Sequence, residues 1–144
     1  MRILVLNGPN INLLGLREPA IYGHETYDDL LSMIHNHAQE KGVKTTCLQS
    51  NHEGDLVDYI QAAYHTQDAI IINPAAYTHT SVALLDALKA VGLPTVEVHI
   101  SDPITREDFR HTSYVGLYAE KTIRGQGLQG YLQAIDYLVA TYKK

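Results

Sequence analysis

The sequence predicts an α/β fold, a doubly wound, three-layer sandwich around a five-stranded parallel sheet. That prediction rests on a strict alternation of β-like and helix-like runs along 144 residues, the rhythm that builds βαβ units. It rests also on the strand-like runs themselves, several of which are unbroken apolar segments, as in sheets covered by helices on both faces.

The first strand spans residues 3–6, a continuous apolar run closed by Asn7-Gly8-Pro9-Asn10. A long stretch then leads to Tyr22-Gly23. Thr26 is suited to cap the first helix, in which Leu30, Leu31, Ile34 and Ala38 keep helical spacing until Gly42 ends the run. Residues 43–48 are rich in β-branched side chains and read as strand two. Residues 53–65 carry Leu56, Tyr59, Ile60 and Ala63 at helical spacing. Strand three, residues 69–72, is wholly apolar and ends at Asn73-Pro74. The helix at 80–91 carries Val82, Leu85, Leu88 and Ala90, with Gly92 and Pro94 as its stop and Thr78 or Thr80 as its expected cap. Strand four covers 95–100, a weaker fifth strand about 119–123, and a last helix about 128–142. With no linker, repeat or low-complexity tract, one domain over residues 1–144 is expected.

Composition narrows the function classes. Hydrophobic residues make up 45% and charged residues 19% of the chain, which is globular rather than disordered. A formal charge of −5 with no basic run argues against nucleic-acid and acidic-membrane partners. The single cysteine, Cys47, has no internal partner and reads as a buried strand residue in a reducing compartment. The amino-terminal apolar run is too short for a signal peptide, and no stretch approaches the ~20 apolar residues of a membrane span. A soluble, cytoplasmic protein is expected.

In doubly wound folds, ligands bind beyond the carboxyl ends of the strands. Those ends here carry Asn7 to Asn10, Asn73, His79 to Ser81, and Glu97-Val98-His99-Ile100-Ser101, with Arg106 and Arg110 following. Glu97 and His99 stand two apart on a strand and so share a face, where a carboxylate can fix the imidazole tautomer and favour its protonated form. A core histidine with satisfied bonds is the competing reading. The Ile100 and Ser101 amides lie where the strand opens and could hold a carboxylate. Asn73 ends a buried strand with an amide that must find partners. His79, near a helix start, is expected to stay neutral. Asp86 reads by itself as a solvated charge. Arg17 and Tyr22 lie on a connection long enough to act as a lid. Alone they read as a solvated arginine and a packing tyrosine among ten, yet a nearby guanidinium would lower a phenol's pKa from about 10.

Some motifs do not carry the chemistry they evoke. Gly125-Gln-Gly127-Leu-Gln-Gly130 matches a dinucleotide fingerprint, but fourteen residues remain after it, too few for a second strand and its acidic partner. A tight strand-to-helix turn is expected there. No phosphate-binding loop with a lysine occurs, and the eight histidines form no recognised metal pattern, His35 and His37 facing different ways on a helix. Neither metal nor other cofactor is expected.

Four segments together carry a resemblance. Asn7-Gly8-Pro9-Asn10-Ile11-Asn12-Leu13-Leu14-Gly15, Arg17-Glu18-Pro19-x-x-Tyr22-Gly23, Asn73-Pro74-Ala75-Ala76-Tyr77-Thr78-His79-Thr80-Ser81 and Glu97-Val98-His99-Ile100-Ser101 closely resemble the type II 3-dehydroquinate dehydratases, and Gly130-Tyr131 fits as well. The resemblance implies a flavodoxin-like fold, a homododecamer built from trimers, and cofactor-free anti dehydration of 3-dehydroquinate to 3-dehydroshikimate, in the shikimate pathway or in quinate breakdown. By the same resemblance Tyr22 is the proton acceptor and His99 the proton donor. Arg17 stabilises the transition state and tunes the tyrosine, and Asn10 steadies the enolate through a water. Asn73, His79, Ile100, Ser101 and Arg110 line the substrate pocket, Glu97 supports His99, and Asp86 reaches a neighbouring subunit's pocket. The chain departs from the family at Thr112, within His111-Thr112-Ser113-Tyr114, and at Lys121.

Rival readings of the same fold class fare worse. A signalling receiver domain needs acidic residues at the end of strand one and an aspartate at the end of strand three, where this chain has Asn7 and Asn73. A flavin-binding electron carrier wants a Ser/Thr-rich loop after strand one, and residues 7–16 contain neither residue.

Overall fold

Side chains along a strand point alternately to its two faces, and the architecture follows from how each face is covered. The computed structural model describes residues 1–16 and 19–144, with Tyr22 described by its backbone alone. Among these residues the strands β1 (Arg2–Asn7), β2 (Lys44–Gln49), β3 (Ala69–Asn73), β4 (Thr95–His99) and β5 (Lys121–Arg124) form one all-parallel sheet in the order β2-β1-β3-β4-β5. The helices are α1 (Pro19–Tyr22), α2 (Tyr27–Lys41), α3 (Glu53–Ala62), α4 (Val82–Val91) and α5 (Gln129–Tyr142).

Ile3 and Val5 of β1, Ile71 of β3 and Val96 and Val98 of β4 pack under Leu30 and Ile34 of α2 and Tyr131, Ile135 and Leu138 of α5. The intervening residues Leu4, Leu6, Ile70 and Ile72 face the other way, onto Leu56 and Ile60 of α3 and Leu84 and Leu88 of α4. Each such side chain contributes roughly 1.5–3 kcal/mol when removed from water, which explains why continuous apolar runs were needed at the sheet centre. This is the flavodoxin-like three-layer arrangement, with the expected five parallel strands.

Local signals act largely as expected. Thr26 caps α2 through a capping box with Asp29, and Gly42 closes the helix in a left-handed conformation. Gly125 and Gly127 take positive φ and Gly130 lies in α5 against Val98 and Ile123, so the glycine motif is a strand-to-helix turn. Several expectations are corrected. The cap of α4 is Ser81, whose hydroxyl accepts the Leu84 N–H, rather than Thr78 or Thr80. Helix α3 stops at Ala62 instead of residue 65, because His65 adopts φ 66°. β5 starts at Lys121, since the Ala119 N–H is drawn back to the Val115 carbonyl. The connection before α2 contains a 3-10 turn at Ile11–Leu13 and the short α1. Cys47 is half-buried, lying on the edge strand β2, and burial pushes its thiol up to about 11.

Candidate active site

The strand order reverses between β1 and β3, and Asn7 and Asn73 stand opposite each other in register at that switch point. The chain can turn there because Gly8 has no side chain: a Cβ would lie 2.4 Å from the Pro74 carbonyl oxygen. Beneath the turn, the fully buried Tyr131 hydroxyl donates to Asn7 Oδ1 at 2.6 Å and accepts from Asn73 Nδ2 at 2.9 Å. Burial raises the pKa of this phenol well above its usual range, so Tyr131 is a neutral strut. Asn73 Oδ1 accepts the Ala75 N–H. One amide hydrogen of Asn73 is left over for the cleft above.

That cleft is lined by Asn10, Asn73, His79, His99, Ile100, Ser101 and Arg110, together with Arg106 and Ala75. Asn10 and Ala75 are non-glycine residues with positive φ, 71° and 54°, a strained conformation of the kind that gathers at functional sites. Asn10 is held in it by Asn51, whose Oδ1 accepts the Asn10 N–H at 3.0 Å. Gln49 fixes Asn51 in turn, donating to its Oδ1 and to the Gly8 carbonyl at 3.1 Å each.

Alternation along β4 sends Val96 and Val98 to the α5 side and Glu97 and His99 to the other. Glu97 is 1% exposed and His99 7%, and His99 Nε2 lies 2.5 Å from Glu97 Oε2. The carboxylate also accepts Ser113 Oγ at 2.6 Å and Thr122 Oγ1 at 3.0 Å. Burial pushes its pKa up, but the hydrogen bonds and charge of His99, with those from Ser113 and Thr122, outweigh it and hold the group below the usual glutamate value. Glu97 is therefore ionised at neutral pH. With Nε2 occupied, the other ring nitrogen of His99 is the one left for the cleft.

His79 closes a 3-10 turn, Ala75–His79, and its Nδ1 lies 2.7 Å from the Thr112 carbonyl. Partial burial lowers its pKa, nearby His99 and Arg110 adding to the effect against the Thr112 bond and Glu97. A neutral ring donating Nδ1–H to that carbonyl presents Nε2 as an acceptor, in line with the expected neutral histidine. The partner is backbone, so the unusual threonine at 112 does not disturb it. Arg110 Nε donates to Glu107 Oε2 at 2.5 Å, which aims one side of the guanidinium. The second departure, Lys121, lays its ammonium over the Tyr137 ring at 5.4 Å.

The fold thus brings together Asn10, Asn73, His79, His99, Ile100, Ser101 and Arg110, with Glu97 behind His99. Asp86 is not among them: it is exposed on α4, away from this chain's cleft. Arg17 and the Tyr22 side chain lie outside the described residues, although the flanking Ile21 and Gly23 border an open groove that shares Ile100, Ser101 and Arg106 with the cleft. The sequence placed Arg106 among the groups at the strand ends but gave it no role, and it missed Ala75, Tyr131 as a strut, Asn51, Ser113 and Thr122. Strain at an alanine and hydrogen bonds between residues 16 to 124 positions apart leave no local mark on a sequence. Among the described residues no group of three or more His, Cys, Asp or Glu side chains is arranged to hold a metal ion.

A polar cleft at the switch point of a flavodoxin-like sheet, with a buried carboxylate bonded to an imidazole at its wall, defines the class: a flavodoxin-like α/β protein with its candidate site at the carboxyl ends of the strands. The family model of the class II dehydroquinases matches residues 1–139. A 3-dehydroquinate dehydratase of Corynebacterium glutamicum is 54% identical over 143 residues, 99% of this chain and 98% of that protein. A catabolic 3-dehydroquinase of Fusarium vanettenii is 53% identical over 137 residues, covering 95% of each chain. The crystal structure of a type II dehydroquinase from Butyrivibrio crossotus superposes with a TM-score of 0.94 at 51% identity, over 96% of this chain and 97% of that one. The chain belongs to the class II dehydroquinase family, the hydro-lyases also called type II 3-dehydroquinate dehydratases.

Proposed function

We propose that this chain removes water from 3-dehydroquinate to give 3-dehydroshikimate, with Tyr22 as base and His99 as acid. The Tyr22 phenolate takes a proton from the carbon next to the ketone, and the C–H electron pair moves to make an enolate. Asn10, through an ordered water, steadies the enolate oxygen, in the manner of a preorganised electrostatic site. When the enolate collapses, the C–O bond breaks and the departing hydroxyl takes the proton of the His99 imidazolium. Water and a conjugated enone result. Arg17 favours the phenolate form of Tyr22. Asn73, His79, Arg110 and the Ile100 and Ser101 amides hold the substrate's hydroxyl and carboxylate groups.

The observation that carries this reading is the Glu97–His99 pair, shut from water and set at a switch-point cleft in a chain of this family. The amides of Ile100 and Ser101 donate to no acceptor among the described residues, which suits them to a carboxylate. No lysine lines the cleft among the described residues, so an imine route has no amine to begin from. Asp86, exposed on α4, suits a contact with the cleft of a neighbouring subunit in a homododecamer of trimers. The protein then works as a cytoplasmic enzyme, either building aromatic precursors or breaking down quinate.

The test follows the enone absorbance with purified Tyr22→Phe and His99→Ala. Each lowers turnover by at least ~100-fold, the low end for general acid–base groups. Near wild-type turnover by Tyr22→Phe would remove the tyrosine from its role.

A further inference from the structure

We infer that Ser113 and Thr122 are positioning residues for the acid step: their hydroxyls clamp the Glu97 carboxylate so that the shared proton stays on His99. The inference rests on the proposed role of His99 as acid and extends it to two residues outside the cleft.

The geometry is that of a carboxylate with both oxygens occupied. Oε2 meets His99 Nε2 at 2.5 Å and Ser113 Oγ at 2.6 Å, and Oε1 meets Thr122 Oγ1 at 3.0 Å. The Ser113 hydroxyl has a fixed direction, because its oxygen accepts the Gly116 N–H at 3.0 Å and its hydrogen is thereby committed to Glu97. Gly116 is pressed close, for a Cβ there would lie 3.0 Å from both Glu97 Oε1 and Ser113 Oγ. The two donors reach the carboxylate from different elements, Ser113 from the loop before β5 and Thr122 from β5 itself. Rotation of the Glu97 carboxylate would break bonds on both sides.

The clamp matters because Glu97 and His99 compete for one proton. Burial alone favours the neutral pair, carboxylic acid beside uncharged imidazole. In that state the nitrogen facing the cleft belongs to a neutral ring, a far weaker acid than imidazolium. Two hydroxyl donors stabilise the ionised carboxylate and tip the balance toward imidazolium. Among the described residues, the other charged or titratable groups around the carboxylate are Arg110, His111 and Arg124, which line the space behind it, and His79, which feels its charge. None offers Glu97 the directed hydroxyl bonds that Ser113 and Thr122 supply.

Kinetics of Ser113→Ala, Thr122→Val and their combination test the proposal, with Thr122→Ser as the hydroxyl-retaining control and His99→Ala as reference. Expected is a kcat loss of about tenfold for Ser113→Ala, the order of one hydrogen bond to a charged group, and a larger loss in the double variant. KM changes less than about twofold, the variants stay folded at the assay temperature although they unfold at a lower temperature than wild type, and Thr122→Ser keeps wild-type kcat. The acidic limb of the kcat profile moves to higher pH in the double variant, as Glu97 becomes easier to protonate. If His99→Ala is impaired while the double variant keeps the wild-type kcat and pH profile, the clamp is refuted and the acid role survives. If His99→Ala itself turns over normally, the acid role is what fails. Should a variant not fold, ¹⁵N imidazole resonances of the wild-type protein decide: a neutral His99 ring at pH 6 overturns the proposal, and imidazolium supports it.

Discussion

Strands β3 and β4 lie side by side and are equally withdrawn from water, every residue of each being buried. Their chemistry is opposite. β3 is Ala-Ile-Ile-Ile-Asn, apolar on both faces until its last residue, whereas β4 places Thr95, Glu97 and His99 on one face and Val96 and Val98 on the other. The difference lies in what covers them. β3 is sealed by apolar helix faces on both sides. On its polar side β4 meets the hydroxyl of Ser113 and the side chain of Thr122 on its neighbour β5. One strand therefore supplies stability, and the next holds a buried charge that is tolerated because each carboxylate oxygen has a donor.

Substitutions on the two strands should separate these contributions. The largest effect is expected at Ile71, fully buried in β3. Ile71→Ala should cost about 3 kcal/mol in denaturant unfolding, transfer and cavity terms together, with kcat per folded molecule unchanged. A matching loss of kcat would mean that β3 also tunes the site. Glu97→Gln should do the reverse. It keeps the side-chain volume and removes the charge, so turnover should drop about 10- to 100-fold while the protein stays folded at neutral pH. Unaltered turnover would make Glu97 a structural group only.

Tyr131→Phe probes the strut shared by both halves of the switch point. It leaves Asn7 Oδ1 and Asn73 Nδ2 without the hydroxyl each now uses, and should lower stability by about 1–3 kcal/mol. The smallest effect concerns pH. The folded pKa of Glu97 lies below its ordinary value of 4.5, so its contribution to stability is fully present above that value and is lost as pH falls through the folded pKa. The stability gap between wild type and Glu97→Gln should accordingly narrow as the medium is acidified from pH 6 to pH 3. A gap that stays constant over that range would show that the carboxylate keeps its proton affinity on folding.

The sheet was readable in advance because its information is periodic and local. Ile3 to Leu6 and Ala69 to Ile72 alternate between two apolar layers, and Thr26, Gly42 and Gly92 mark helix ends by their own backbone preferences. Boundaries that depend on distant atoms were less visible. Ser81 rather than a neighbouring threonine caps α4, and nothing in residues 78–81 alone separates the three hydroxyls. In the site, Glu97 and His99 could be paired from their spacing, since a strand puts i and i+2 on one face. The donors that keep Glu97 charged could not, because Ser113 and Thr122 are 16 and 25 residues away.

Two kinds of information are therefore at work. Hydrophobic period, capping residues and the polar groups at strand ends were enough for the chain to specify an open parallel sheet and the edge at which chemistry gathers, because those signals act between near neighbours. Strand order, the strained backbone at Asn10 and Ala75, and the hydrogen-bonded surroundings of Glu97 were settled only when segments far apart in the chain packed together. The charge state of a buried group depends on every donor within bonding distance, and that distance is a property of the folded molecule.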